Sequence, residues 1–269
     1  MKSGGRKLVV NADDFGFTRD VNEGIIEAHG RGILTATTLM AAGAFDGNAF
    51  DDAVRLSREN PSLDVGCHLV LVGAPPFPLT VAQLVQAVAL KRIRIYDELA
   101  RQVRRVLDAG LRPTHLDTHK HTHLLPPVLD AVARIAEEFQ IPWVRRPFDF
   151  PHTPEGISLP KRAVAKSLTA VRARSARVLA AHGCRATDHF AGFQITGRYD
   201  AASLAKLLRA LPEGSTEFMC HPGKLKESLR AAPTRLKESR EEELRALTSA
   251  EVRAAIAERG IELCGFPDL

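Results

Sequence analysis

Short β-rich runs alternate with longer helical segments along nearly the whole chain, and that rhythm restricts the fold more than any other feature of the sequence. Lys7–Asn11, Thr35–Met40 and Val65–Val72 read as the first three strands, and a His-rich run near residue 115 as the fourth. Ile141–Arg145, His189–Ile195, Thr216–His221 and Ile261–Phe266 supply four more. Helical segments are predicted from about Asp20, then over Ala49–Arg58, Val81–Leu90, Asp97–Ala109, Pro127–Phe139, Lys161–His182, Ala201–Leu211, Arg235–Leu247 and Ala250–Arg259. Gly110 suits a helix C-terminus and Ser249 an N-cap. Seven or eight βα units in 269 residues predict an α/β fold, an irregular TIM-barrel-like (β/α) barrel forming one domain over residues 1–269. An open doubly wound sheet is the alternative. No G-x-G-x-x-G follows the first strand, so a dinucleotide-binding version of it is disfavoured.

Composition removes several classes. Hydrophobic residues make up 45% and charged residues 26%, as in a globular protein with a substantial core. No apolar run approaches the roughly 18 residues needed to cross a membrane, and Met1–Lys7 has no signal-peptide core, so a cytoplasmic protein without membrane insertion is expected. Cys67, Cys184, Cys220 and Cys264 form no C-x-x-C pair, which argues against disulfides and against a cysteine-rich zinc site. The net charge is +5, and seven Lys or Arg fall between Lys161 and Arg185 with no Asp or Glu. Without an aromatic platform or a helix-turn-helix signal, that stretch reads as a solvated helical face and not as a nucleic-acid site.

Polar residues gather where strands end. Pro113–His123 holds four of the ten histidines and Asp117 within eleven residues. Read as extended chain, it puts His115, Asp117, His119, His121 and His123 on one face, at the end of a strand that gives way to a Pro-started helix. Imidazoles beside a carboxylate are ligands for a divalent metal. Asp13-Asp14 ends the first strand, His68 interrupts an apolar strand, and His221 precedes Pro222-Gly223 at the end of another. Taken singly, these residues also read as a helix N-cap, a core histidine and a turn histidine. In a parallel barrel, however, the C-terminal strand ends share the face on which active sites are built. Asn11 could orient the acidic pair, and Trp143 beside Arg145 and Arg146 could stack on a sugar or lie buried. His29, His152 and His182 suggest no role, and His189 is left undecided.

Asn11-Ala12-Asp13-Asp14-Phe15-Gly16, Gly66-Cys67-His68-Leu69, Thr114–His123 and Met219-Cys220-His221-Pro222 together resemble the YdjC-like carbohydrate deacetylases, the group that includes chitooligosaccharide deacetylases and deacetylases associated with hopanoid biosynthesis. The resemblance runs in order from near residue 7 to near residue 266. It implies an irregular (β/α) barrel that removes acetyl groups from N-acetylated amino sugars with one divalent ion. By position, Asp14, His68 and His119 become the metal ligands, Asp13 the base and His221 the acid. Asn11, Asp117, His121, His123 and Arg145 become residues that orient the ligands or touch the sugar. The family is usually described with magnesium (Mg2+), whereas two imidazoles favour zinc (Zn2+), cobalt or manganese. The chain is shorter than the chitooligosaccharide members between Gly73 and Lys91, a loop expected to border the cleft. Free oligosaccharide, lipid-linked and nucleotide-linked substrates all fit, and a homodimer is compatible with the family. A two- or three-metal phosphoesterase and a sugar-binding protein without turnover are the competing readings.

Overall fold

The structure is a computed structural model that describes residues 5–73, 75–150 and 159–269, with the backbone alone at 159–169. Most of the expected Pro-rich loop at 147–160, and His152 with it, lie outside those residues, as do the first side chains of the Lys161–Arg185 stretch.

Among the described residues eight strands carry the framework: β1 (Arg6–Phe15), β2 (Ala36–Met40), β3 (Asp64–Leu69), β4 (His115–Thr118), β5 (Trp143–Val144), β6 (His189–Ala191), β7 (Gly214–Cys220) and β8 (Ile261–Leu263). The helices are α1 (Arg19–Arg31), α2 (Ala49–Glu59), α3 (Val81–Ala89), α4 (Ile95–Asp108), α5 (Pro126–Glu138), α6 (Leu159–Ala181), α7 (Ala201–Arg209), α8 (Glu227–Ala231), α9 (Glu238–Leu247) and α10 (Ala250–Arg259). These strands all pair in parallel, in the order β5-β4-β3-β2-β1-β7-β6, with β8 added beside the start of β1. Read as a ring, that order is cyclic from β1 through β7. Its seam lies between β5 and β6, where isolated parallel bridges join Trp143 to Arg185 and Asp149 to Phe190. The fold is therefore an α/β half-barrel curled toward closure, as expected for an irregular (β/α) barrel, and the doubly wound alternative falls away.

The elements follow from local chemistry. Thr18 caps α1 by accepting from the Val21 amide, Thr80 and Gln83 form a capping box on α3, and Ser249 caps α10 as predicted. Strand β1 is the axis of the sheet, and its Leu8, Val9, Val10 and Ala12 have no solvent exposure. Parallel strands covered by helices are buried on both faces, which accounts for the continuous apolar runs. No helix of the described residues is long and apolar enough to cross a membrane. Cys67, Cys220 and Cys264 are buried thiols and Cys184 is half-buried, all unpaired.

Three boundaries differ from expectation in ways that shape the site. Strand β1 continues through Asp13-Asp14 to Phe15. Strand β4 stops at Thr118, and His119–Leu124 forms a 3-10 turn in which Lys120 (φ 54°) and His121 (φ 51°) are left-handed. The alternation expected to run on to His123 therefore breaks at His119. Strand β5 is two residues long, so Arg145 lies just past its end.

Candidate functional site

Adjacent carboxylates on a regular strand point to opposite faces. Here the register of β1 against β2 slips between Ala12 and Phe15, and Asp14 takes a left-handed φ of 69°, a conformation that Asp tolerates better than most residues. The irregularity lets Asp13 and Asp14 both line one cavity of about 750 Å³.

Three donors from three strand ends meet there. His68 Nε2 lies 3.4 Å from Asp14 Oδ1, His119 Nδ1 lies 3.2 Å from the same oxygen, and the two ring nitrogens are 3.3 Å apart. Donors bound at about 2.0–2.1 Å to one ion stand about 3.3–3.4 Å apart at tetrahedral angles, so this triangle suits a single divalent cation. Behind it, His68 Nδ1 donates to Asp117 Oδ1 at 2.6 Å, and the Thr38 hydroxyl donates to Asp117 Oδ2 at 3.2 Å. That bond fixes the ring so that Nε2 is the nitrogen His68 turns toward Asp14 and His119. Asp13, His68 and Asp117 form a second group with ligand-like spacing. There the Arg145 guanidinium meets both carboxylates, whereas in the Asp14 group Arg240 takes Oδ2 and leaves Oδ1 to the two imidazoles.

Arg145 organises the other half. Its two terminal nitrogens donate to Asp13 Oδ1 and Oδ2 at 2.7 and 2.8 Å, Nη1 also meets Asp117 Oδ2 at 2.6 Å, and Nε donates to Glu217 Oε1 at 2.7 Å. His221 Nε2 faces Asp13 Oδ2 at 3.8 Å. The His221 amide donates to Glu243 Oε2 at 2.5 Å, and Glu243 also accepts from the Tyr199 hydroxyl and the Gly197 amide. The loop bearing His221 packs directly on α1, where a Cβ on Gly24 would sit 2.4 Å from the Gly223 Cα. Only glycine at position 24 permits that approach.

The charges are strongly perturbed. Burial opposes a charge on His68, yet Asp117, Asp13 and Asp14 outweigh it and push the imidazole up to about 9. Burial raises the Asp13 and Asp14 carboxyls, but the guanidinium of Arg145 on the first and of Arg240 on the second, with neighbouring histidines, holds both well below the usual carboxylate range. Glu217 goes the other way, carried up to about 7 by burial and by Asp117 and Asp13 despite Arg145. His221 is lowered, because burial outweighs the pull of Glu243, Asp13 and Asp14.

The structure brings Asp13, Asp14, His119, His121 and His221 to the cavity wall, with His68, Asp117 and Arg145 buried behind it. Phe17, Phe45, Val70, Leu79 and Phe193 add an apolar rim, and Gly73, Pro75 and Leu79 place the expected loop at its edge. Other expectations need correction. Asn11 does not hold the acidic pair; its Oδ1 accepts from His115 Nε2 at 3.0 Å, deeper in the barrel. His123 donates from Nε2 to the Arg145 carbonyl and accepts at Nδ1 from Thr118, so it braces the chain that carries Arg145 and is absent from the cavity wall. Trp143 is buried against Phe266 and under Arg185, away from the cavity. His189 is held by the Glu213 carbonyl. Arg240 and Glu243 were missed: they sit in a run of charges, Glu238–Arg245, that looks solvated, and no local signal separates the two buried members from the rest.

Comparison with known proteins places these features in a family. The model of the YdjC-like proteins matches residues 7–258. A carbohydrate deacetylase of Brevibacillus brevis is 32% identical over 275 residues, covering 98% of this chain and 99% of that protein. A solved Enterococcus faecalis structure, described as a candidate cellobiose-phosphate cleavage protein, superposes with a TM-score of 0.73 at 26% identity over 98% of each chain. The lactam utilization protein of Thermus thermophilus shares the fold alone, with a TM-score of 0.53 at 15% identity over 97% of this chain and all of that one. With a family model spanning nearly its whole length and a relative above 30% identity, the chain belongs to the YdjC-like family.

Proposed function

We propose that this protein is a metal-dependent hydrolase that removes acetyl groups from N-acetylated amino sugars, acting as one catalytic domain over residues 1–269. The observation that carries the reading is the Asp14–His68–His119 triangle set beside the Asp13–His221 pair in one cavity. The Brevibacillus relative's activity as a carbohydrate deacetylase supports it. Asp14, His68 and His119 would hold a divalent ion, which when bound supplies a Lewis acid for the acetyl carbonyl and lowers the pKa of its water. Two imidazoles and one carboxylate favour zinc, cobalt or manganese over magnesium.

The remaining steps belong to the chain's own residues. Asp13, pinned and kept ionised by Arg145, accepts a proton from the attacking water while the hydroxyl joins the acetyl carbon. Burial favours neutral His221 before the reaction, so the proton it delivers is the one Asp13 has taken, relayed by a water because the 3.8 Å between them exceeds a direct hydrogen bond. The departing sugar nitrogen receives it, the C–N bond breaks, and amine and acetate leave. His121, on the cavity wall, is placed to contact the sugar. Acetate release from N,N′-diacetylchitobiose by metal-stripped protein, with and without zinc, cobalt, manganese or magnesium, tests the reading. Metal-dependent release abolished in His119→Ala is expected. Metal-independent release would defeat it, and so would the absence of release from this and from lipid-linked and nucleotide-linked N-acetyl sugars.

A further inference from the structure

Helix α9 is one of the most heavily charged of the chain, yet Arg240 on it is 1% exposed. A guanidinium is buried this deeply only where something specific holds it. Its Nη2 donates to Asp14 Oδ2, its Nε donates to the Leu236 carbonyl at 3.2 Å, and Nη1 is buried without a hydrogen-bond partner among the described residues. Its backbone carbonyl accepts from the Gly223 amide at 3.1 Å, and its side-chain stem packs where a Cβ on Gly223 would lie, 3.2 Å away. The same residue therefore grips Asp14 with its side chain and the His221-Pro222-Gly223 loop with its backbone.

Asp14 has two oxygens with different neighbours. Oδ2 is taken by Arg240, and Oδ1 alone faces His68 and His119. The left-handed backbone at Asp14 aims the side chain into the cavity, while the rotation of its carboxylate, a soft torsion, is set by the groups the oxygens meet.

We propose that Arg240 is a positioning residue that fixes Asp14 as a one-oxygen metal ligand and couples it to the loop bearing His221. The proposal rests on the reading of Asp14, His68 and His119 as a metal site. Carboxylates that bind metals depend on such hydrogen-bonded partners, whose loss typically costs about 10–100-fold in metal affinity. Arg240→Met keeps the apolar stem and removes the grip, whereas Arg240→Lys keeps the charge and offers a single nitrogen.

The test is Co2+ binding to the metal-stripped full chain, followed by absorption spectroscopy and equilibrium dialysis. Arg240→Met is expected to bind Co2+ about 10–100-fold more weakly, with an altered visible spectrum because Asp14 becomes free to use either or both oxygens. Arg240→Lys is expected to fall between that variant and the wild type. Unchanged or tighter Co2+ binding with an unchanged spectrum in both variants overturns the proposal and leaves Arg240 a structural ion pair. If Arg240→Met does not fold, the Lys variant decides by the same two readouts. Failure of the wild-type chain to bind Co2+ at all overturns the metal reading itself, and so is distinguishable from failure of this inference.

Discussion

His68 donates its Nδ1 hydrogen to Asp117 at 2.6 Å, which fixes the ring so that Nε2 is the nitrogen facing Asp14 and His119. The pair spans two neighbouring strands, β3 and β4, in direct register at His68 and Asp117. Asp117→Asn removes the charge that favours this tautomer, and metal affinity is expected to fall about 10–100-fold. Equilibrium dialysis with Zn2+ checks it, and wild-type affinity in that variant would show that the bond orients nothing.

Asp13 stands apart from the Asp14–His68–His119 triangle, with both oxygens on Arg145. If it is the base, Asp13→Asn lowers turnover at least about 100-fold while Zn2+ stoichiometry stays at the wild-type value. Full turnover with metal bound normally would remove Asp13 from that role.

Much of this site is legible in the sequence, because a parallel barrel gathers its strand ends. Asp13-Asp14 close an apolar run, His68 interrupts one, and His221 is followed by Pro-Gly, so topology alone brings them together. The legibility ends where side-chain direction depends on backbone irregularity or distant chain. The left-handed residues Lys120 and His121 break the alternation that would align five side chains, and neither residue type announces it. Arg240 reaches Asp14 across 226 positions of sequence, and its surroundings on α9 read as solvent. Asn11 sits two residues from Asp13 yet bonds His115, because β1 also forms the deep interior of the barrel.

Glu217 gives the fold a distinctive pH response. Its carboxyl titrates at about 7 in the folded chain, against an ordinary value of 4.5. The folded state thus holds a proton that the unfolded state has released, and this group's contribution to stability declines as pH rises from 4.5 to about 7. Glu217→Gln keeps an acceptor for Arg145 Nε and removes the titration, so the loss between pH 5 and 7.5 should shrink by about 1–3 kcal/mol. Urea unfolding of metal-stripped wild type and variant at both pH values measures it, and parallel pH dependence in the two would assign the effect elsewhere.

Gly24 offers the sharpest test of how the fold holds His221. It lies within α1, where alanine would ordinarily favour the helix by about 1 kcal/mol. A methyl group there would come 2.4 Å from the Gly223 Cα and 2.8 Å from its nitrogen and carbonyl carbon, which are backbone atoms and cannot rotate aside. Either α1 or the His221-Pro222-Gly223 loop must shift. Glu243 and the Arg240 carbonyl tie the loop to α9, so a shift strains those bonds as well. Gly24→Ala is therefore expected to lose about 1–3 kcal/mol of stability despite its better helix propensity. It should also lower turnover more than metal affinity, because His221 moves directly while the Asp14–His68–His119 triangle feels the shift only through Arg240. Thermal unfolding, Zn2+ affinity and acetate release on one preparation separate the effects. A variant as stable and as active as the wild type would mean that the approach of α1 to this loop positions nothing.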